Sequence, residues 1–349
     1  MKYLLSLSVA AFTLTACATT GSDIDYPAFA VTAAFETPIM ASEGDSADDP
    51  AIYIAANGTG FIAGTDKQSG LYIYNLDGTQ RDYMPIGMIN NIDLRDGFSL
   101  DGQNYVLMVA SDDETNAIVS LLYNATTDQF VTPNGHRLST GEISPYGICL
   151  GRGDDDSFHI GVTTKAGLYA QYEMTEEDGA LAINPSRDFS TVKQTEGCVF
   201  DDRTGSLYLA VEEGALSHYP MSPRADPVRT EIARINQFGL KADLEGVTLY
   251  EDGDIGGYVI VSSQGNNSYG VFSLPDYDFA GRFEIKDGSV DGVSSTDGIA
   301  VTSHATPRFP DGFLVVQDDM DDTSPQSDDF KKQNFKVIDW RDIKTQLTR

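Results

Sequence analysis

Six short strings in this chain place a polar or acidic residue just ahead of an apolar strand. They are DDPAIYI from Asp48, NNIDLR from Asn90, PYGICL from Pro145, TEGCVF from Thr195, DLEGVTL from Asp243 and TDGIAV from Thr296. Carboxylates dominate them. Oxygen ligands without His or Cys select hard cations, and Ca²⁺ accepts about six to eight such oxygens in irregular geometry. Gathered at one point, these acids would repel one another unless cations lay between them, and bound cations would convert the surface into one that receives phosphate. The alternative is that the same acids simply hydrogen-bond loop amides. Other chemistries lack their residues: there is no HExxH, GxSxG or P-loop string, and the four His (136, 159, 218 and 304) are scattered. Asp287-x-Ser289-x-Asp291-Gly292 begins like an EF-hand loop, but its twelfth position is Gly298, with no bidentate carboxylate.

The elements that must position these residues recur with them. Each string precedes a hairpin of two apolar strands around a polar turn, at residues 61–76, 105–123, 158–174, 206–221, 258–274 and 312–340. The hairpin starts are 44 to 54 residues apart, a spacing suited to four-stranded propeller blades. The chain is therefore predicted to be all-β, a six-bladed β-propeller spanning residues 36–349. The first strand of each blade lines the central channel, so Asp49, Asp93, Tyr146, Glu196, Glu245 and Asp297 are expected around one mouth of it. The last hairpin is interrupted by an acidic insertion at 318–329, read as a solvated loop or a further cation site.

Composition narrows the partners. The 349 residues carry 23 Lys+Arg against 53 Asp+Glu, a net charge of −30, and 41% are hydrophobic, enough for a substantial core. Such a charge excludes nucleic acid as a partner, and it excludes an anionic substrate unless cations reverse the local sign. The N-terminus reads as an export signal: Met1-Lys2, an apolar run too short to span a bilayer, then Leu14-Thr15-Ala16-Cys17. That box resembles a bacterial lipoprotein cleavage site, with residues 1–16 removed, Cys17 lipidated and 17–35 serving as a tether. Ala18 after the cysteine is compatible with sorting to the outer membrane, and the lipid anchor is the only membrane attachment expected. Cys149 and Cys198 are either a disulfide or two buried thiols.

In order along the chain, DDPAIY, GTDKQSGLYIYNLDG, NNIDLR, YGICL, QTEGCVFDD, ADLEGVTLY, SSQGNNSY, STDGIAV and QNFKVIDW closely resemble the β-propeller phytases. The resemblance covers residues 36–345 and implies a six-bladed propeller that hydrolyses phytate (myo-inositol hexakisphosphate), or calcium–phytate, using several Ca²⁺ ions. By position it implies that Asp49, Pro50 and the Asp297 region ligate calcium. Asp48, Glu196, Glu212, Asp243 and Glu245 would ligate the active-site calciums. Lys67, Tyr146 and Lys165 would contact phosphate, with Gln264 and Asn266 on the same surface. Calcium would acidify a water that attacks phosphorus in line, with the lysines stabilising the shifting charge. Glu196, Glu245, Lys67, Tyr146 and Lys165 are the residues carrying catalysis in this reading. A closed propeller needs no partner to protect its edges, so a monomer is expected.

One departure stands out. Where the resembled family carries Asn-Arg after Ala-Ser, this chain has Asp112-Asp113. Losing a phosphate-binding guanidinium leaves three outcomes: a cation on these acids, substitution by Arg95 or Arg137, or a changed substrate. Two rivals therefore accompany the phytase reading: a calcium-dependent hydrolase of another ester, and a non-catalytic calcium-dependent surface-binding protein.

Overall fold

The computed structural model describes residues 26–112, 114–321 and 332–348. These form six sheets, ordered around a central channel as the six expected blades. The innermost strands are Ala47–Ile54 (blade 1), Ile89–Leu100 (blade 2), Ile148–Arg152 (blade 3), Thr195–Asp201 (blade 4), Leu244–Asp252 (blade 5) and Ile299–Thr302 (blade 6). Alternation within each strand buries one side chain against the preceding blade and the next against the following one. Six apolar clusters result, one in each blade-to-blade seam. Phe61, Ile73 and Leu121 fill the seam between blades 1 and 2, and Leu122, Leu150 and Val162 the next. Between blades 5 and 6, Trp340 stacks on Tyr250 with centroids 4.2 Å apart. Each such buried side chain stabilises the fold by about 1.5–3 kcal/mol.

The N-terminal boundary differs from the expected one. The sequence reads residues 17–35 as a tether, yet Phe29–Thr32 joins blade 5 as a parallel fifth strand, with Phe29 opposite Phe283. Phe35–Glu36 then supplies the outer strand of blade 6, pairing Phe35 with Val337, so the ring is closed by strands from opposite ends of the chain. The reason lies in the alternation Phe29, Val31, Ala33, which directs these side chains toward the core between blades 5 and 6. Cys17, the rest of the proposed tether, Asp113 and most of the acidic insertion lie outside the described residues. Among the described residues, no helix is long and apolar enough to cross a membrane.

Candidate active site

Four of the blade starts share a two-residue pattern: Tyr146-Gly147, Glu196-Gly197, Glu245-Gly246 and Asp297-Gly298. The glycines are required by close approach of backbones. A Cβ at Gly147 would overlap the Glu196 carbonyl oxygen, and one at Gly197 would overlap that of Glu245. At Gly246 it would lie 2.7 Å from the Asp297 carbonyl, and at Gly298 2.7 Å from that of Asp48. Each glycine thus lets the next blade's main chain pass against its own, which draws the preceding side chains toward a common centre. The first and second strands also slip register across Thr195/Cys198 and Leu244/Val247, a bulge that turns Glu196 and Glu245 toward the mouth.

The glycine steps and bulges bring Tyr146, Glu196, Glu245 and Asp297 together, with Asp49 beside them and its carboxylate against Gly298, but they do not bring Asp93. The same register slip occurs across Ala47/Pro50 and Ile89/Ile92, and it moves the mouth position in those blades to Asp48 and Asn90. Asp49 accepts a hydrogen bond from the Ile92 amide at 3.0 Å, and Asp93 from the Leu150 amide at 2.8 Å. Both therefore tie one inner strand to the next. Pro50 lines the channel and, lacking a donor, offers only its carbonyl oxygen. Asn90, whose role the sequence did not reveal because it is uncharged, donates to Glu196 Oε1 at 3.0 Å.

At the centre, Glu196, Glu212 and Glu245 are buried, and each offers a carboxylate oxygen within 4.8 Å of the others. The electrostatics show how unfavourable this is without a counter-charge. Burial, with Glu196, Glu212 and Asp297 nearby, pushes Glu245 up to about 12, so it keeps a proton and hydrogen-bonds Glu196. Burial likewise raises Glu212 and Asp297 to about 7 and Asp48 to about 8. Glu212 Oε1 and Glu245 Oε2 are buried with no hydrogen-bond partner. A tight group of oxygen-only ligands with unpartnered lone pairs fits a hard divalent cation.

The cations surround this group. Lys67 Nζ lies 2.8 Å from Asp48, 3.1 Å from Asp45 and 3.4 Å from Asp297. Burial alone would lower its pKa, but those acids and Glu196 carry it well above its ordinary value. Tyr146 hydrogen-bonds Glu196, and burial followed by that carboxylate raises its hydroxyl far above the usual range, keeping it a donor. Lys165 Nζ sits 4.5 Å from the centroid of the Tyr146 ring. Gln264 donates to Asp297 at 2.6 Å. Asp243, partly exposed, lies beside Glu212, and burial raises its pKa. Asn266 is partly exposed, and its amide braces its own turn. It donates to the Gly239 carbonyl and accepts from Ser263 and Ser268.

The missing guanidinium has a partial structural answer. Asp112 is buried, and Arg137 Nη1 lies 2.6 Å from it while Nη2 donates to the Ile86 carbonyl. Arg137 therefore balances Asp112 at the edge of blade 2. Arg95 is occupied lower in the channel, 3.0 Å from both Asp93 and Asp202. Cys149 and Cys198 form a disulfide between the inner strands of blades 3 and 4.

Comparison with known proteins agrees with this arrangement. The sequence model of the Phytase family matches residues 2–349. The chain is 35% identical to a 3-phytase of Bacillus subtilis (strain 168) over 330 residues, covering 91% of this chain and 86% of that protein. Among solved structures, the PQQ-bound form of an aldose sugar dehydrogenase from Streptomyces coelicolor superimposes with a TM-score of 0.51. It is 15% identical, the match covers 90% of this chain and 100% of that one, and the likeness is one of fold alone.

Proposed function

The chain belongs to the phytase family, and from that premise we propose that it is a phosphoric monoester hydrolase releasing inorganic phosphate from phytate with the help of divalent cations, of which Ca²⁺ suits the ligands best. The observation that carries this reading is the group Glu196, Glu212 and Glu245, three buried carboxylates facing one another with oxygens left unpartnered. Asp48, Asp243 and Asp297 would be further oxygen ligands for such cations. When bound, such ions neutralise phosphate oxygens and acidify water.

The chain's own residues supply the rest. Asn90 and Tyr146 hold Glu196 by hydrogen bonds, so its carboxylate presents a fixed orientation. Lys67, held among three acids, and Lys165, placed over Tyr146, offer positive charge where negative charge shifts onto phosphate oxygens. Gln264 keeps Asp297 turned toward Lys67. Calcium–phytate is the form of substrate that best suits an acidic surface, since the metal then arrives partly with the ligand. We further propose export and anchoring through Cys17, supported by the apolar run and the box ending at that residue. The test is an assay of phosphate release from phytate by the purified protein, with calcium and then with excess chelator. Release that calcium supports and chelator abolishes is expected; equal release in both would refute the reading.

A further inference from the structure

Inner strands of adjacent blades belong to different sheets and share no ladder, so each seam near the channel is held by individual links. Three of these are hydrogen bonds from a main-chain amide to a side chain on the preceding blade. Ile92 donates to Asp49 (blades 1 and 2), Leu150 to Asp93 (blades 2 and 3), and Val301 to Thr248 (blades 5 and 6). A single link of this kind contributes about 1 kcal/mol and opens readily. Between blades 3 and 4 the corresponding place holds a covalent bond, Cys149–Cys198. Cys149 lies three residues after Tyr146, and Cys198 two residues after Glu196. The bridge thus joins the two strands whose side chains meet at the mouth, where Tyr146 hydrogen-bonds Glu196 and Thr163 Oγ1 donates to the Glu196 carbonyl at 2.9 Å.

The location has a physical consequence. Glu196 offers a carboxylate oxygen within 4.8 Å of those of Glu212 and Glu245, so a small shift of the blade 4 strand would pull this group apart. A hydrogen-bonded link of about 1 kcal/mol lets the strands shift against each other, whereas a covalent one limits that shift. We propose that the Cys149–Cys198 bridge is a positioning device for the reaction, holding the Glu196 strand against the Tyr146 strand so that the catalytic carboxylate keeps its place. The inference rests on the phosphatase reading above. It assigns the two cysteines a role in turnover in addition to any contribution to stability. Cys198 is partly exposed beside the central channel and Cys149 is fully buried, so thiol counting must verify reduction before the reduced form is assayed.

The test compares four forms of the full chain. They are the oxidised protein, the protein reduced by a phosphine below its melting temperature, the Cys149→Ser/Cys198→Ser variant, and Arg203→Ala. The last loosens the seam between blades 4 and 5 far from the mouth, where Arg203 binds Asp201 and the carbonyls of Gly253 and Gly256. For each, kcat and KM on phytate, calcium affinity by calorimetry, and melting temperature are measured. Reduction and the double substitution are expected to lower kcat about 10- to 100-fold with little change in KM, as for a small misplacement of a catalytic group. Reoxidation should restore it, and Arg203→Ala should lose melting temperature without that loss of kcat. Unchanged kcat and calcium affinity in the reduced and serine forms would overturn the proposal, as would an equal kcat loss in Arg203→Ala. If the serine variant does not fold, the reduced protein decides. If the oxidised protein releases no phosphate, the phosphatase reading fails, and calcium affinity with and without the bridge still decides the positioning role.

Discussion

Glu245 and Glu196 face each other across the channel mouth as two buried carboxyls with oxygens within 4.8 Å, and burial beside its acidic neighbours raises the Glu245 carboxyl far above its ordinary value. Nothing else about the site states its chemistry so directly. Two acids brought this close need either a proton or a cation, and Glu212, within 4.8 Å of both, makes a third. The −30 charge of the chain and an anionic substrate are compatible only through the cation.

The first prediction concerns pH. Glu212 and Asp297 (about 7), Asp48 (about 8) and Glu245 (about 12) all titrate above their ordinary values of 3.8 to 4.5 in the metal-free protein. Between those two limits the native state binds more protons than the unfolded chain, so metal-free stability falls as pH rises. Calorimetric melting with chelator should show the midpoint dropping from about pH 5 to pH 8, where ordinary carboxylates have already ionised. Calcium should reverse the drop, with a larger gain at higher pH and a measurable release of protons on binding. A chelated protein whose melting temperature climbs over this range would contradict the account.

The second concerns Glu245→Gln. The amide keeps the shape and cannot ionise, so folding in chelator no longer requires this carboxyl to take up a proton, and the chelated variant should melt at a higher temperature than the parent protein. Phosphate release from phytate should fall by about 100-fold or more, the scale of losing a major electrostatic contribution to the transition state. Opposite changes in stability and turnover, read by melting and assay, separate this role from a structural one.

The third concerns Gly197→Ala. The added methyl would overlap the Glu245 carbonyl. Destabilisation of about 1–3 kcal/mol is expected from overpacking, together with loss of calcium binding as the blade 5 strand is displaced. Urea unfolding and calcium titration check both. An alanine tolerated without cost would mean that the glycine steps do not set the site.

The fourth contrasts two lysines. Lys67 is mostly buried among Asp45, Asp48 and Asp297, so Lys67→Met leaves the fully buried Asp48 without its partner. It should cost about 3–5 kcal/mol in chelator, partly recovered by calcium. Lys165 lies over the Tyr146 ring, and Lys165→Met should cost no more than about 1 kcal/mol while raising KM for phytate. Denaturation curves and steady-state kinetics of the two variants distinguish them.

The blades, and most of the residues at the mouth, are legible in the sequence because the propeller repeats one physical solution. An apolar strand follows a polar residue at each blade start, and in blades 3 to 6 a glycine stands between them where backbones cross closely, as at Gly197 and Gly246. Asp93 turns away from the mouth and Asp48, ahead of Asp49, takes the mouth position because the bulges at Ala47/Pro50 and Ile89/Ile92 shift register, and strand alternation does not announce a bulge. Asn90 carries no charge to mark it. The strands at Phe29–Thr32 and Phe35–Glu36 were hidden because their partners, Phe283 and Val337, lie at the far end of the chain with no turn to signal the pairing. Arg137 reaches Asp112 across 25 residues, a proximity that only the folded sheet creates.

The most direct test of the central claim is diffraction from crystals grown with calcium and inorganic phosphate, read in an anomalous difference map. The account predicts cation peaks between Glu196, Glu212 and Glu245, with phosphate oxygens on their open side near Lys67 and Lys165. A map without density there, and Glu245 still hydrogen-bonded to Glu196, would contradict it.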